Sequence, residues 1–254
     1  MPRQSRSRTL TNMAEPDPPT HAHEPHDARV GARLNWLRAG VLGANDGIVS
    51  TAGIVAGVAG ATSDLGDILT AGIAGLVAGA LSMAAGEYVS VSAQRDAEKS
   101  MIAKEKTELA TMPEAELEEL TELLERRGIS PPLAREVAEE LTAKDPLRAH
   151  LDIELGIDPD DLVSPWQAAG ASAVSFVVGA LLPILAVVLA PDGSRIPVTF
   201  VAVILALALT GLISARIGEA HARQARAVAR NVIGGALAMT ITYLVGTAVG
   251  GIGV

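Results

Sequence analysis

Cysteine is absent from the 254 residues of this chain, and aromatic side chains make up only 2% of it. Without thiols the chain has no disulfide, zinc ribbon or thiolate chemistry. No basic patch is paired with aromatic residues, so nucleic-acid binding has no support. The HExxH, GxSxG and P-loop patterns of common enzyme sites are also missing. We therefore expect a non-enzyme with no catalytic residue and no resident cofactor.

Charge is missing from long stretches of the chain. Charged residues are 19% of the total, but they are clustered, and 49% of the chain is hydrophobic. Five apolar runs each reach the roughly 20 residues that cross a bilayer. They are residues 40–61, 68–94, 166–190, 196–215 and 228–254. The sequence predicts an all-α integral membrane protein with five transmembrane helices and the lipid bilayer as its first partner.

Two polar segments lie outside these runs. Residues 1–33 are rich in Pro, His and Arg without an apolar period, which indicates a disordered tail. Its histidines, His21, His23 and His26, are read as solvated residues in preference to metal scavengers. The chain then divides into transmembrane helices one and two (34–98), a helical cytoplasmic metal-binding insert (99–163) and transmembrane helices three to five (164–254).

The insert is predicted to be helical because it contains residues typical of helix starts and ends. The second span has no stop signal, so it should continue to about residue 110. Thr111 and Glu114 form a capping-box pattern around Pro113. Gly128 and Gly156 are the expected ends of later helices.

The distribution of Lys and Arg predicts the orientation. Six of the twenty basic residues precede the first span, nine lie between the second and third spans (residues 95–163), four lie in residues 216–230 around the connection between the fourth and fifth spans, and only Arg195 lies elsewhere. The positive-inside rule places these segments in the cytoplasm and the C-terminus outside. The composition and the basic tail are typical of a bacterial protein, so we expect the plasma (inner) membrane.

Three residues inside the first two spans are candidates for a transport path. A carboxylate inside a span costs about 2.5–3.5 kcal/mol on insertion scales, so Asp46 is a functional candidate. Glu87 lies nearer the cytoplasmic end, where it could also mark the interface. Met83 lies one turn before Glu87, and its thioether would favour a transition metal, although packing is the commoner role of such a residue. The glycines of both spans fit close helix packing as well as pore lining.

The insert has nineteen acidic residues against nine basic ones in residues 95–163. Most of this charge has the pattern of an ordinary solvated helix surface. Three pairs at helical spacing are nevertheless candidates for an oxygen-lined cation site. These are Glu105 with Glu108, Glu116 with Glu119, and His150 with Glu154.

Three motifs resemble those of the vacuolar iron transporter (VIT) family. They are DGIVST (residues 46–51), AGIAGLVAGALSMAAGEYVSVSAQRD (71–96) and GALLPIL (179–185). The resemblance extends in order over residues 34–254, with the same five-span layout. It implies an iron(II)/proton exchanger that works as a homodimer, with the transport path between the subunits.

The resemblance also implies roles for single residues. Asp46 and Met83 match intramembrane metal-path positions of the family. Five glutamates match those of its cytoplasmic metal-binding domain, namely Glu105, Glu108, Glu116, Glu119 and Glu154. Some relatives have methionines just before the last of these, where this chain has Ala149 and His150. No Glu-x-x-His pair occurs in the insert, which disfavours the di-iron chemistry of relatives with a ferritin-like domain.

The resulting hypothesis is a secondary transporter that exports Fe²⁺ in exchange for protons, with Mn²⁺ and Zn²⁺ as further candidate metals. Asp46, with Glu87 nearby, would bind either the metal or a proton. A membrane-anchored metal buffer or sensor, which binds cations on the insert and moves nothing, is the first alternative. A structural protein whose acidic helices dock a partner is the second.

Overall fold

Every secondary-structure element in the computed structural model is a helix; the structure describes residues 28–160, 162–217 and 224–252, and contains no strand within them. The helices are α1 (Ala28–Ala61), α2 (Leu65–Thr111), α3 (Pro113–Arg126), α4 (Pro131–Lys144), α5 (Pro146–His150), α6 (Pro165–Leu189), α7 (Arg195–Ile217) and α8 (Gln224–Gly250). A π-helical turn, Leu151–Leu155, continues α5. The predicted all-α class is confirmed.

Five of these helices are long and apolar enough to cross a membrane. They are α1 from Gly40 onward, α2, α6, α7 and α8, which match the five predicted spans. With 47 residues, α2 is about 70 Å long, more than twice the roughly 30 Å hydrocarbon core. The predicted continuation of the second span as one helix to about residue 110 is confirmed, since α2 ends at Thr111.

The central helix of the membrane part is α1, which contacts α2, α6, α7 and α8. In the most apolar stretch of α1, 44% of the residues are buried, against 11% in α2 and in α8. Two glycines permit this close packing. A Cβ on Gly47 would overlap the carbonyl oxygen of Phe176 in α6, and one on Gly246 in α8 would overlap that of Gly57. The protomer is thus built around α1.

Two of the α2 glycines that the sequence left open between packing and pore lining, Gly75 and Gly79, face other helices of the same chain. A Cβ on Gly75 would meet the side chain of Ile54, and one on Gly79 would overlap the ring of Phe176. Phe176 is 2% exposed and lies between α1 and α2. These α2 glycines therefore allow three helices, α1, α2 and α6, to approach one another.

The insert between α2 and α6 has its own small apolar core. Its buried members come from α3, α4 and α5, and they are Leu120, Leu124, Ala134, Ala138 and Ala149. Most of the acidic side chains of the insert are exposed, whereas Glu105 and Glu116 are buried. The insert is therefore a folded helical unit attached to the membrane part through the extension of α2 and the connection to α6.

Two local expectations differ from the structure. Helix α1 already begins at Ala28, so residues 28–33 of the predicted disordered tail are helical, while His21, His23 and His26 lie outside the described residues. The capping box does not form, because the Thr111 hydroxyl donates to the carbonyl of Thr107 within α2. Met112 is the N-cap of α3 and makes no side-chain cap bond.

Candidate metal centres

Four of the six insert residues singled out from the sequence meet in one cluster. The Nδ1 atom of His150 lies 3.1 Å from Glu105 Oε1 and 3.3 Å from Glu154 Oε2. Glu116 Oε2 lies further away, at 3.8 Å from the same nitrogen. Ligand atoms of Glu105, His150 and Glu154 all lie within 4.8 Å of one another. Among the described residues, no other group of three or more His, Asp or Glu side chains meets that distance.

Chain turns at proline and glycine bring these side chains together. Met112 alone joins α2 to α3, and Pro113 after it disfavours helical backbone angles at Met112. The chain therefore reverses there, and Glu116 approaches Glu105. Glu154 lies on the π-helical turn that continues α5 from His150 and ends at Gly156, which has a φ of 63°. π-Helical turns are rare in proteins, and those that occur are often found at functional sites.

The cluster is buried, which is unusual for acidic side chains. The exposed fractions are 3% for Glu105, 5% for Glu116 and 0% for His150. Burial, followed by the negative charge of Glu154, raises the pKa of Glu105 to about 6. Burial is also the main cause that raises the pKa of Glu116, with the Glu119 carboxylate as the next cause. Repulsion and desolvation both disfavour this arrangement unless a cation is bound.

The other two predicted insert residues lie at the edge of the cluster. Glu108 is paired with Lys104 at 2.8 Å on the surface of α2. Glu119 is exposed on α3. Both carboxylates act on Glu116 through their charge, but neither belongs to the group whose ligand atoms converge. Their role as metal ligands stays a prediction.

Asp46 lies on a side of α1 that the other helices of the chain leave uncovered. Its neighbours one turn away on this stripe are Leu42, which is 64% exposed, and Ser50, which is also exposed. The Ser50 hydroxyl donates a hydrogen bond of 2.8 Å to Asp46 Oδ1. Among the described residues, no basic side chain lies within ion-pair distance of Asp46. Within the part of the chain whose side chains are described, the Asp46 carboxylate is thus held by the Ser50 hydroxyl.

Met83 and Glu87 lie one turn apart on α2, and both are half-buried. Met83 is within the part of α2 that spans the membrane, and Glu87 follows it toward the extension. Among the described residues neither Met83 nor Glu87 shares a hydrogen bond with Asp46, and the common role of the three residues in a transport path stays a prediction.

A polar network beside Asp46 was missed by the sequence reasoning. Asn45 Oδ1 accepts hydrogen bonds from Thr210 in α7, at 3.3 Å, and from Asn231 in α8, at 3.2 Å. Amides within apolar runs were the signal that could have revealed it, because a span rarely contains polar side chains that lack a partner. The network fixes α1 against α7 and α8 at the residue before the carboxylate.

A groove follows the seam between α1 and α8. Its volume is about 690 Å³, and it begins beside Ser50 and continues past Gly53 and Gly57 of α1 toward Val249 of α8. The lining is almost entirely apolar. Thr242, its main polar residue on α8, bonds back to carbonyls of its own helix. The groove is chemically suited to another helix and not to a bare cation.

These features define a class: a multi-pass helical membrane protein with a carboxylate in its first span and a buried cluster of metal-ligand type in the insert. The VIT family matches residues 37–247. The chain belongs to this family, and the resemblance seen in its motifs is confirmed.

Named relatives cover most of the chain. It is 42% identical to a vacuolar iron transporter of Acanthamoeba castellanii over 230 residues, which is 88% of this chain and 82% of that protein. It is 35% identical to vacuolar iron transporter homolog 5 of Oryza sativa subsp. japonica, over 93% of this chain and 91% of the relative. With vacuolar iron transporter homolog 1 of Arabidopsis thaliana the identity is 37%, over 85% and 86% of the two chains.

Proposed function

We propose that the chain is a secondary transporter that moves Fe²⁺ out of the cytoplasm in exchange for protons, with Mn²⁺ and Zn²⁺ as further divalent substrates. The names of its relatives support iron as the cargo. The observation that carries the proposal is Asp46, a carboxylate about six residues, or about 9 Å, inside the span that begins at Gly40. Intramembrane carboxylates of this kind mark ion and proton pathways.

The chemistry assigned to Asp46 is exchange of one cation for another. As a carboxylate it supplies charge and oxygen ligands to a metal ion, and once protonated it loses both. The hydrogen bond from Ser50 orients the carboxylate in either state. Met83 and Glu87 on α2 are the further residues of the proposed path, and the Met83 thioether adds a soft ligand that Mg²⁺ and Ca²⁺ do not favour.

The transport path is proposed to lie between two copies of the chain. Charged groups inside a membrane face the protein interior or a water-filled cavity and not lipid. Asp46 lies on the open stripe of α1 in a single protomer, so a second copy placed against this stripe and the α1–α8 groove would enclose it. In such a homodimer, a helix of the second copy would also cover the apolar α1–α8 groove.

The insert is proposed to be a cytoplasmic metal-binding domain that collects the ion. The Glu105–His150–Glu154 cluster supports this role, since its side chains converge and two of them, Glu105 and His150, are buried while Glu154 is half-buried. The side of the membrane follows from the distribution of Lys and Arg. We place the chain in the plasma membrane; its named relatives are vacuolar transporters, and in both membranes the metal would leave the cytoplasm.

The test is metal uptake by proteoliposomes under an imposed pH gradient, with Fe²⁺ and Mn²⁺ compared. Wild type should show gradient-driven uptake, and Asp46→Asn, which keeps the shape but removes the charge, should lose it. The matched control is Asp67→Asn, because Asp67 is an exposed carboxylate in the first turn of α2, outside the proposed path. Full uptake by a correctly folded Asp46→Asn protein would rule out the assigned role.

A membrane-anchored metal buffer or sensor is the second candidate function. It is favoured by one observation, that the insert cluster is complete within one protomer and involves no residue of the membrane spans. Wild-type protein that binds metal on the insert but shows no gradient-driven uptake would establish this alternative.

A further inference from the structure

His150 is the only nitrogen ligand candidate in a cluster whose other members are carboxylates. It is fully buried at the end of α5, and its Nδ1 atom faces three acidic side chains that come from α2, α3 and the π-helical turn. Carboxylate oxygens alone suit Mg²⁺, Ca²⁺ and Mn²⁺, whereas imidazole suits Zn²⁺, Fe²⁺, Ni²⁺ and Cu²⁺. The identity of this one side chain therefore bears on which cations the insert retains.

We propose that His150 binds a borderline transition-metal ion through Nδ1 and is the residue that makes the insert discriminate against Ca²⁺ and Mg²⁺. The inference deepens the proposed function of the insert and rests on its binding a divalent metal. The metal selectivity of the insert is thereby assigned to one nitrogen ligand, the imidazole of His150.

An ion pair between a protonated His150 and the carboxylates is the structural alternative: all three carboxylates lie within ion-pair distance of Nδ1, but only one of them meets hydrogen-bond geometry. The Nδ1 atom of His150 is placed to form a hydrogen bond with Glu154 Oε2, at 3.3 Å. Glu105 Oε1 is closer, at 3.1 Å, but it lies outside hydrogen-bonding angles and is a buried oxygen with no hydrogen-bond partner among the described residues. The single Nδ1–H of His150 makes one of these hydrogen bonds, whereas one metal ion can bind Glu105, His150 and Glu154 together.

The two separations measured from His150 Nδ1 also fit one coordination sphere. Metal–ligand bonds of about 2.1 Å place neighbouring ligand atoms about 3.0 Å apart in an octahedron and about 3.4 Å apart in a tetrahedron. The distances from His150 Nδ1 to Glu105 and Glu154, 3.1 and 3.3 Å, lie in this interval. The 3.8 Å distance to Glu116 lies beyond it, so Glu116 is assigned to a neighbouring position in which it contributes charge.

Equilibrium titration of the full-length protein with Co²⁺, Zn²⁺, Ca²⁺ and Mg²⁺ tests the proposal. The chain has five histidines, so the titration uses a background variant in which the other four (His21, His23, His26 and His221) are replaced by Gln. In this background His150→Gln should weaken Zn²⁺ and Co²⁺ binding at least 10–100-fold, the loss typical of altered metal-site partners, and change Ca²⁺ and Mg²⁺ binding less than about threefold. Equal losses for all four ions, or no loss, would overturn the proposal.

A spectroscopic measurement covers the case in which His150→Gln does not fold. In the background variant with His150 intact, bound Cu²⁺, a paramagnetic ion that imidazole suits, should show the magnetic coupling of a directly ligated imidazole nitrogen in pulsed paramagnetic resonance. Metal bound at the insert without this coupling would refute the assignment. Both readouts are of binding and not of transport, so absent proteoliposome uptake would remove the transporter function and leave this proposal intact.

Discussion

The buried carboxylate of Glu105 approaches the Nδ1 atom of His150 to 3.1 Å, although the two residues lie on separate helices, α2 and α5. Burial and the charge of Glu154 raise the pKa of Glu105 to about 6. The metal-free cluster therefore contains a carboxylate that folding makes harder to ionise. The ionised Glu105 carboxylate therefore destabilises the folded insert without a metal ion, and a bound cation would offset this cost.

Glu105→Gln should stabilise the metal-free protein near pH 7.5. A pKa of about 6, against an ordinary value of 4.5, means that ionised Glu105 disfavours the folded state by about 2 kcal/mol. Glutamine removes that cost and also removes a proposed ligand. Thermal unfolding of the full chain should therefore show a higher Tm without metal and a smaller rise in Tm on adding Zn²⁺. Glu136→Gln, an exposed glutamate on α4, is the control and should change neither value.

The pH dependence of metal-free stability should have a defined sign. Because the folded-state pKa of Glu105 is raised, the folded state holds more protons than the unfolded state between pH 4.5 and about 6. The contribution of protonated Glu105 to the free energy of unfolding is fully present below pH 4.5 and is lost as the pH rises through 6. In Tm measured against pH, wild type minus Glu105→Gln should become more negative over that interval. A difference that is flat from pH 4 to 8 would contradict the assigned cause.

The sequence predicted some features of this protein well because they depend on local composition. Apolar runs predicted the five spans, and Pro113 predicted the break after α2. The insert cluster was predicted only as three pairs at helical spacing, since which pairs converge depends on how α2, α3 and α5 pack. Asn45 escaped notice for the same reason, because its partners Thr210 and Asn231 lie on helices distant in sequence. Whether Asp46 faces lipid or protein is likewise a tertiary property.

Gly246→Ala should destabilise the contact between α1 and α8. The added Cβ would overlap the carbonyl oxygen of Gly57, so the two helices must separate. Overpacking of this kind costs about 1–3 kcal/mol. Gly234→Ala in the same helix is the matched control, because a Cβ there meets nothing within 4 Å. Alanine is the better helix former by about 0.5–1 kcal/mol, so the control should be neutral or more stable in thermal unfolding.

Asn45→Leu should weaken the attachment of α1 to α7 and α8. The change keeps the size of the side chain but removes the oxygen that accepts from Thr210 and Asn231. Hydrogen bonds between membrane helices are worth about 0.6 kcal/mol on average and up to about 1.7 kcal/mol. A double-mutant cycle with Asn231→Leu should give a coupling in this range. Thr242→Val, whose hydroxyl bonds only within α8 among the described residues, should show no coupling to Asn45→Leu.

Ser50→Cys should form a cross-link between two copies of the chain. The natural sequence contains no cysteine, so a single introduced thiol reports on its own position without further changes. In a two-fold dimer, a residue close to the symmetry axis meets the same residue of the partner. Ser50 is exposed on the stripe of α1 that also contains Asp46, and the proposed dimer encloses this stripe.

The reference for this experiment is Val201→Cys, which is 60% exposed on α7 and away from the α1–α8 groove. A disulfide requires Cα atoms about 4.4–6.8 Å apart, so an oxidant and a short bis-maleimide are both used to allow for a wider separation. Dimer bands in membranes with Ser50→Cys and not with Val201→Cys are expected. Cross-linking of Val201→Cys alone would place the interface on α7, leave Asp46 facing lipid, and remove the main support for a path between two subunits.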